Sequence, residues 1–131
     1  MAYLKPNLFE RTVFNRIAMK SGIMGTHTLL VPGRSSGQEQ RVPVIPVEHE
    51  GARYLVSTRG ESNWVRNLRA AGRAELKRGS KTEAVRVTEL PVDERPPVID
   101  AYRRVAGREV EKYFKKLPDP SDHPVFRLDP A

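Results

Sequence analysis

Residues 29–44 read LLVPGRSSGQEQRVPV, two apolar runs joined by a polar hinge. A tight hairpin needs only a glycine and one or two polar residues. This hinge carries Arg34, Ser35 and Ser36 between Gly33 and Gly37, and Arg41 follows in the next run. The combination suits an anion. Glycines free backbone N–H groups to point outward, serine hydroxyls add donors, and a guanidinium offers bidentate, charge-assisted hydrogen bonds. No Gly-Lys-Ser/Thr follows at the spacing of a Walker loop, and there is no GxGxxG. Taken alone, five residues rich in glycine and serine define a turn.

The rest of the chain offers few groups for protein-based catalysis. There is no cysteine, and the three histidines, His27, His49 and His123, are scattered, so no metal site is expected. No nucleophile, triad or carboxylate pair stands out. His123, before Pro124, reads as a satisfied structural histidine rather than a base. The 23 basic and 16 acidic residues leave a formal net charge of +7, which suits an anionic partner: nucleic acid, lipid headgroups or a phosphorylated cofactor. Between residues 53 and 86, nine basic side chains (Arg53, Arg59, Arg66, Arg69, Arg73, Lys77, Arg78, Lys81, Arg86) face three acidic ones (Glu61, Glu75, Glu83). That excess sits on expected folded structure, unlike a disordered basic arm. Nucleic acid is set aside, because no reading motif is present and only Trp64 among the strong stacking residues lies in the basic stretch.

The elements that position these residues are legible from periodicity and turn signals. Asn7 with Glu10 resembles a capping box, and Phe9, Val13, Phe14, Ile17 and Ala18 recur at helical spacing as far as Met19, giving an amphipathic first helix. Its lysines and arginines leave peripheral membrane contact open. Extended pieces are predicted over residues 28–31, 41–47, 53–57, 73–77 and 82–90, each bounded by Gly-containing turns. Pro43 and Pro46 cannot donate to a ladder, so the second piece is expected at an edge or sharply bent. A short helix capped by Ser62 or Asn63 should end at Gly72. Helices are predicted over residues 96–105 and 109–116, and a last strand within DHPVFRL. Many short strands interrupted by one helix suit an α+β chain built on a small barrel, with residues 1–131 forming a single domain. No apolar run approaches the roughly 20 residues of a membrane span. With neither a signal peptide nor a cysteine, a cytoplasmic setting is expected.

GRSSGxxxRVPV, then RYLVSTRGE, NWVRNLRAAGRAEL and DHPVFRL occur in that order along nearly the whole chain. Together they resemble the deazaflavin-dependent nitroreductase and quinone reductase family of actinobacteria. The resemblance implies a split β-barrel like that of flavin-binding pyridoxamine oxidases. It implies coenzyme F420, with a phosphate and several glutamates in its tail, and hydride transfer to a quinone, nitroaromatic or activated alkene. Carried over by position, Arg34, Ser35, Ser36 and Gly37 would hold the phosphate, with Arg41 closing on it. Pro43 and Val44 would run beneath the cofactor. Ser57, Thr58, Arg59 and Gly60 would line the deazaflavin, with Trp64 and Asn67 at the start of the next helix. Many relatives carry a lysine where Ser35 stands here, so Arg59 or Arg69 is expected to compensate. Tyr102 and Tyr113 are the candidate substrate-side residues, and a homodimer is expected because small split barrels commonly pair. Two rival readings remain: a flavin mononucleotide (FMN) oxidoreductase of the same fold, and a non-catalytic carrier of a fatty acid or similar hydrophobic anion.

Overall fold

The computed structural model describes residues 27–131. The amphipathic helix expected over residues 7–19, and with it the membrane contact, lies outside them. The apolar runs that flank the hinge form β1 (His27–Pro32) and β2 (Glu39–Val44). They pair antiparallel, with Pro32 opposite Glu39 and Leu30 opposite Arg41, so the hinge is the loop of a hairpin.

The strand expected over residues 41–47 is in fact two. The ladder stops after Val44 and resumes as β3 (Val47–His49), with Ile45 and Pro46 buried between them. Pro46 has no N–H to continue the pairing. The rest of the sheet comprises β4 (Ala52–Val56), β5 (Arg73–Arg78), β6 (Lys81–Glu89) and β7 (Val125–Pro130). The strand order is β2-β1-β5-β6-β7-β4-β3, every neighbour antiparallel. β2 and β3 are therefore the two edges, yet only three Cα steps, about 11 Å, separate Val44 from Val47. A sheet whose edges are tied that closely has to curl, and the result is an α+β split barrel.

The inside of the curl is filled by Leu29, Val31, Leu55, Leu76, Val85, Phe126 and Leu128. α1 (Asn63–Ala71) plugs it with Val65 and Leu68, both fully buried, and packs mainly against β1. The helix stops at Gly72, whose left-handed φ of 71° lets its N–H reach the Leu68 carbonyl at 2.8 Å, a conformation that suits glycine. The outer face of β3 and β4 carries a second core. There Val47, Tyr54 and Val56 pack under α2 (Pro96–Ala106) and α3 (Glu111–Lys116), which are joined by a 3₁₀ turn. Tyr54, Leu55 and Val56 are all buried, because β4 is covered on both faces, as a continuous apolar run requires. None of the described helices is long and apolar enough to cross a membrane.

Candidate functional site

The hinge is a closed turn: the Gly33 N–H donates to the Gln38 carbonyl at 2.8 Å and the Gly37 N–H to the Gly33 carbonyl at 2.9 Å. Gly37 takes a φ of 74°. At Gly33 a Cβ would meet Ser36 Oγ at 3.0 Å, so bulk is excluded there too. Residues 34–37 are exposed. Ser36 Oγ accepts from the Gln38 N–H at 3.2 Å, while Ser35 is solvent-facing.

Arg34 joins this turn to α1. Its backbone N–H donates to Asn67 Oδ1 at 3.0 Å and its Nη1 to the same oxygen at 2.8 Å. Longer contacts of 3.5 Å reach the carbonyl and Oδ1 of Asn63. Asn67 is buried although it lies on a helix. The resemblance groups it with the cofactor ring; in the structure it seats the hinge on the first turns of α1.

The buried loop 57–62 leads into the same helix end. Ser57 Oγ donates to the Gly60 carbonyl at 2.6 Å, and the Ser57 N–H donates to the Pro124 carbonyl at 2.9 Å. Gly60 has a φ of 83°. Ser57, Thr58, Glu61 and Ser62 are each at most 8% exposed, an unusual degree of burial for polar loop residues. Ser62 occupies the N-cap position, but its hydroxyl makes no capping bond and is buried without a hydrogen-bond partner. Arg59 Nη1 is also buried without one, and the guanidinium lies 5.8 Å from the centre of the Tyr113 ring. Hinge, loop and helix N-terminus thus converge, with two unsatisfied donors and no acidic residue in the first helical turn. First-turn N–H groups lack intrahelical partners and the helix dipole favours negative charge there. The donor set fits a phosphorylated, hydrogen-bonding group.

Other expected residues are placed differently. Arg41 sits on β2 beside Glu39, Nε to carboxylate 3.7 Å, both side chains largely exposed, without a contact to the hinge side chains. Pro43 and Val44 point to opposite faces: Pro43 is exposed, while Val44 packs in the barrel core. Trp64 packs at the rim of that core, its ring 6.2 Å from Phe126. Tyr102 and Tyr113 are each 2% exposed and belong to the core beneath α2 and α3. Burial pushes the Tyr102 hydroxyl far above its ordinary range, so it stays neutral. Tyr113, under Arg59, is the tyrosine that borders loop 57–62.

Arg69, expected to stand in for a hinge lysine, is committed to carboxylates. Its guanidinium is gripped on one side by Glu61 (2.8 and 3.0 Å) and on the other by Glu89 (2.7 and 2.9 Å). Arg95 extends the chain to Glu89 at 3.2 Å and donates to the carbonyls of Leu90, Pro120 and Ser121. The Arg69 hydrogen bonds hold the Glu61 carboxyl below the usual range. Arg53 is likewise held, by Glu83 at 2.7 and 2.8 Å. Arg59 remains the cation next to the loop. Sequence reasoning missed Asn63 and the uncapped Ser62 hydroxyl as site residues; their place at a helix start was the available signal.

Fold and site together define a class: a split β-barrel whose hinge, buried loop and helix start present hydrogen-bond donors to a phosphorylated ligand. Residues 10–117 match the family model described as F420H(2)-dependent quinone reductase, and the chain belongs to that family. It is accordingly an enzyme that uses the deazaflavin coenzyme F420 to pass a hydride to a quinone-type acceptor. Among solved structures, it is similar to an F420-H2 dependent reductase, FDR-A, at 22% identity over 79% of this chain and 93% of that one, with a TM-score of 0.60. A chain described as a domain-swapped dimer shares 21% identity over 92% and 93% of the two lengths, with a TM-score of 0.61. A putative 5-nitroimidazole antibiotic resistance protein from Bacteroides thetaiotaomicron shares 13% identity over 87% and 77%, with a TM-score of 0.58. At these identities the likeness is one of fold. No curated protein sequence matches the chain.

Proposed function

We propose that the hinge and the first turn of α1 hold the phosphate of the coenzyme tail, and that residues 57–60, with Arg59 and the Ser62 hydroxyl, border its ring system. The observation that carries this reading is the convergence just described: Arg34 fastened to Asn67 and Asn63, beside two buried donors without partners. In it, Arg34 keeps its Nε and most of Nη2 free for an anion, Ser35 and Ser36 supply hydroxyls, and the first-turn N–H groups add the helix dipole. When bound, the reduced deazaflavin supplies the hydride, and the protein supplies orientation and electrostatics. Quinone reduction also takes up a proton, and the burial of both candidate tyrosines under α2 and α3 favours water as its source. Trp64, in the first turn of α1 at the rim of the barrel core, should report occupancy.

Quinones are the first acceptor class by family. Nitroaromatics and activated alkenes are the next to test, since the B. thetaiotaomicron relative is described as a putative 5-nitroimidazole resistance protein. Pairing of two chains belongs to the same proposal, supported by the relative described as a domain-swapped dimer, as does the cytoplasmic setting. The decisive experiment titrates the apo-protein with F420 and with FMN while following Trp64 fluorescence, then assays menadione reduction with the reduced coenzyme. F420 should bind at least about tenfold more tightly than FMN, a difference of about 1.4 kcal/mol that one or two additional charge contacts supply. Reversed affinities would favour the FMN reading. Tight F420 binding with no acceleration of any acceptor would favour the carrier.

A further inference from the structure

His123 is 1% exposed and lies where the C-terminal segment turns into β7. Its Nδ1 is 2.8 Å from the Ser57 carbonyl oxygen and its Nε2 is 2.6 Å from the Leu117 carbonyl oxygen. Both partners can only accept. A neutral imidazole has one N–H, so whichever tautomer it takes, its second nitrogen would point a lone pair at a carbonyl lone pair within hydrogen-bonding distance. Only the imidazolium, with two N–H groups, satisfies both contacts.

We propose that His123 is a positioning residue: a buried imidazolium that clamps the Ser57 carbonyl, and with it the loop bordering the coenzyme, to the end of α3. The function part of this proposal rests on the reading of residues 57–60 given above. Ser57 is then held at three groups, its N–H by Pro124, its Oγ by Gly60 and its carbonyl by His123, of which only the last can titrate. Loss of the proton turns one of the two His123 contacts from attraction into repulsion and loosens the loop or the end of α3.

The surroundings tolerate the charge without neutralising it. One face of the ring stacks on Phe114, centroids 4.4 Å apart, and Phe114 has the Arg103 guanidinium over its ring at 4.7 Å, itself paired with Glu111. On the segment 117–122, Asp119 senses His123 electrostatically while its carboxylate accepts from the Ser121 N–H at 2.9 Å, and Asp122 is the preceding residue. Arg95 approaches the same segment through the Pro120 and Ser121 carbonyls, and Arg59 lies on the loop beside Tyr113. Thus, among the described residues, no carboxylate contacts the ring, and the two carbonyls are its hydrogen-bond partners.

The test uses the full chain. Side-chain ¹⁵N shifts of the histidines, backbone amide shifts of residues 57–60 and the F420 dissociation constant are followed from pH 5.5 to 8.5, in wild type and in His123→Gln. We expect both His123 nitrogens protonated at the acid end, and the loop amides should shift together with the ring as its second proton is lost. F420 affinity should fall about tenfold more in wild type than in the variant across that range, the loss of one charge-assisted contact. Titration of the coenzyme itself is common to both proteins and cancels in the ratio. A single neutral tautomer at pH 5.5, readable in wild type even if the variant fails to fold, overturns the clamp. Loop amides that follow His123 while affinity keeps the same pH slope in both proteins overturn the positioning role and the ring-side reading of the loop, leaving the clamp purely structural.

Discussion

Arg34 has two loyalties, and they can be separated by mutation. A loop arginine that served only the turn would change stability by within about 0.5 kcal/mol when truncated. Here its side chain shares Asn67 Oδ1 with its own backbone N–H, so Arg34→Ala should cost about 0.5–1.5 kcal/mol of stability, one ordinary hydrogen bond. In addition it should weaken F420 binding at least tenfold, through a charge-assisted contact worth about 1.5–3 kcal/mol. Asn67→Ala should reverse the emphasis. It leaves the Arg34 N–H without its acceptor and costs about 1–3 kcal/mol in a thermal melt, while affinity falls only as far as the hinge loosens. A double-mutant cycle read by both melting and titration checks this; additivity in both would mean that the two residues do not act together. The hinge was legible in the sequence because GRSSG is local. Asn67 as its anchor was not, since 33 residues separate it from Arg34 and an asparagine on a helix advertises no partner.

At the scale of elements, the sequence reports whatever periodicity and turn chemistry decide. Gly72 as a helix stop, the strand starting at Arg73 and the helix from Pro96 are set by residues within a few positions. It fails where a distant partner decides. Arg69 lies in the basic stretch, but Glu89, 20 residues on, takes half of its guanidinium. The resulting chain Glu61–Arg69–Glu89–Arg95 ties the loop before α1, the helix, the end of β6 and the start of α2 into one unit. Its pH behaviour follows from Glu61, whose carboxyl is held below the ordinary 4.5 chiefly by its hydrogen bonds to Arg69. A depressed acid contributes stability that is fully present above its unfolded value and is lost as pH falls through the folded one. The melting temperature should therefore decline below about pH 4.5, and Glu61→Gln should flatten that decline while costing stability at pH 7. Arg69→Met should act in the same direction and more strongly. It strands the buried Glu61 carboxylate, costing about 3–5 kcal/mol at neutral pH, and the deficit should shrink as acid protonates the carboxyl. A deficit independent of pH would show that the network contributes packing rather than charge.

Across the whole molecule, the formal net charge is +7. Arg53 and Arg69 are committed to carboxylates, but Arg73 and Arg86 stand directly opposite each other on β5 and β6, both exposed. Like charges in that relation destabilise a ladder, and an opposite-charge pair would contribute roughly 0.2–1 kcal/mol. A surface that keeps such a pair gives up stability and gains positive potential, which raises the rate at which a polyanion arrives. Arg73→Glu tests this trade. The new glutamate faces Arg86, so the melting temperature should rise slightly. Stopped-flow association of F420 should slow at low ionic strength, because the net charge falls by two. The difference should fade as salt shortens the Debye length from about 30 Å at 0.01 M to about 8 Å at 0.15 M. FMN, with a phosphate but no glutamate tail, should show the smaller effect of the two. A variant that is more stable and binds F420 as fast as wild type at every salt concentration would mean that the opposed arginines serve neither folding nor the coenzyme. Slower association confined to F420 would place the glutamate tail, rather than the phosphate, within reach of the sheet's exposed face.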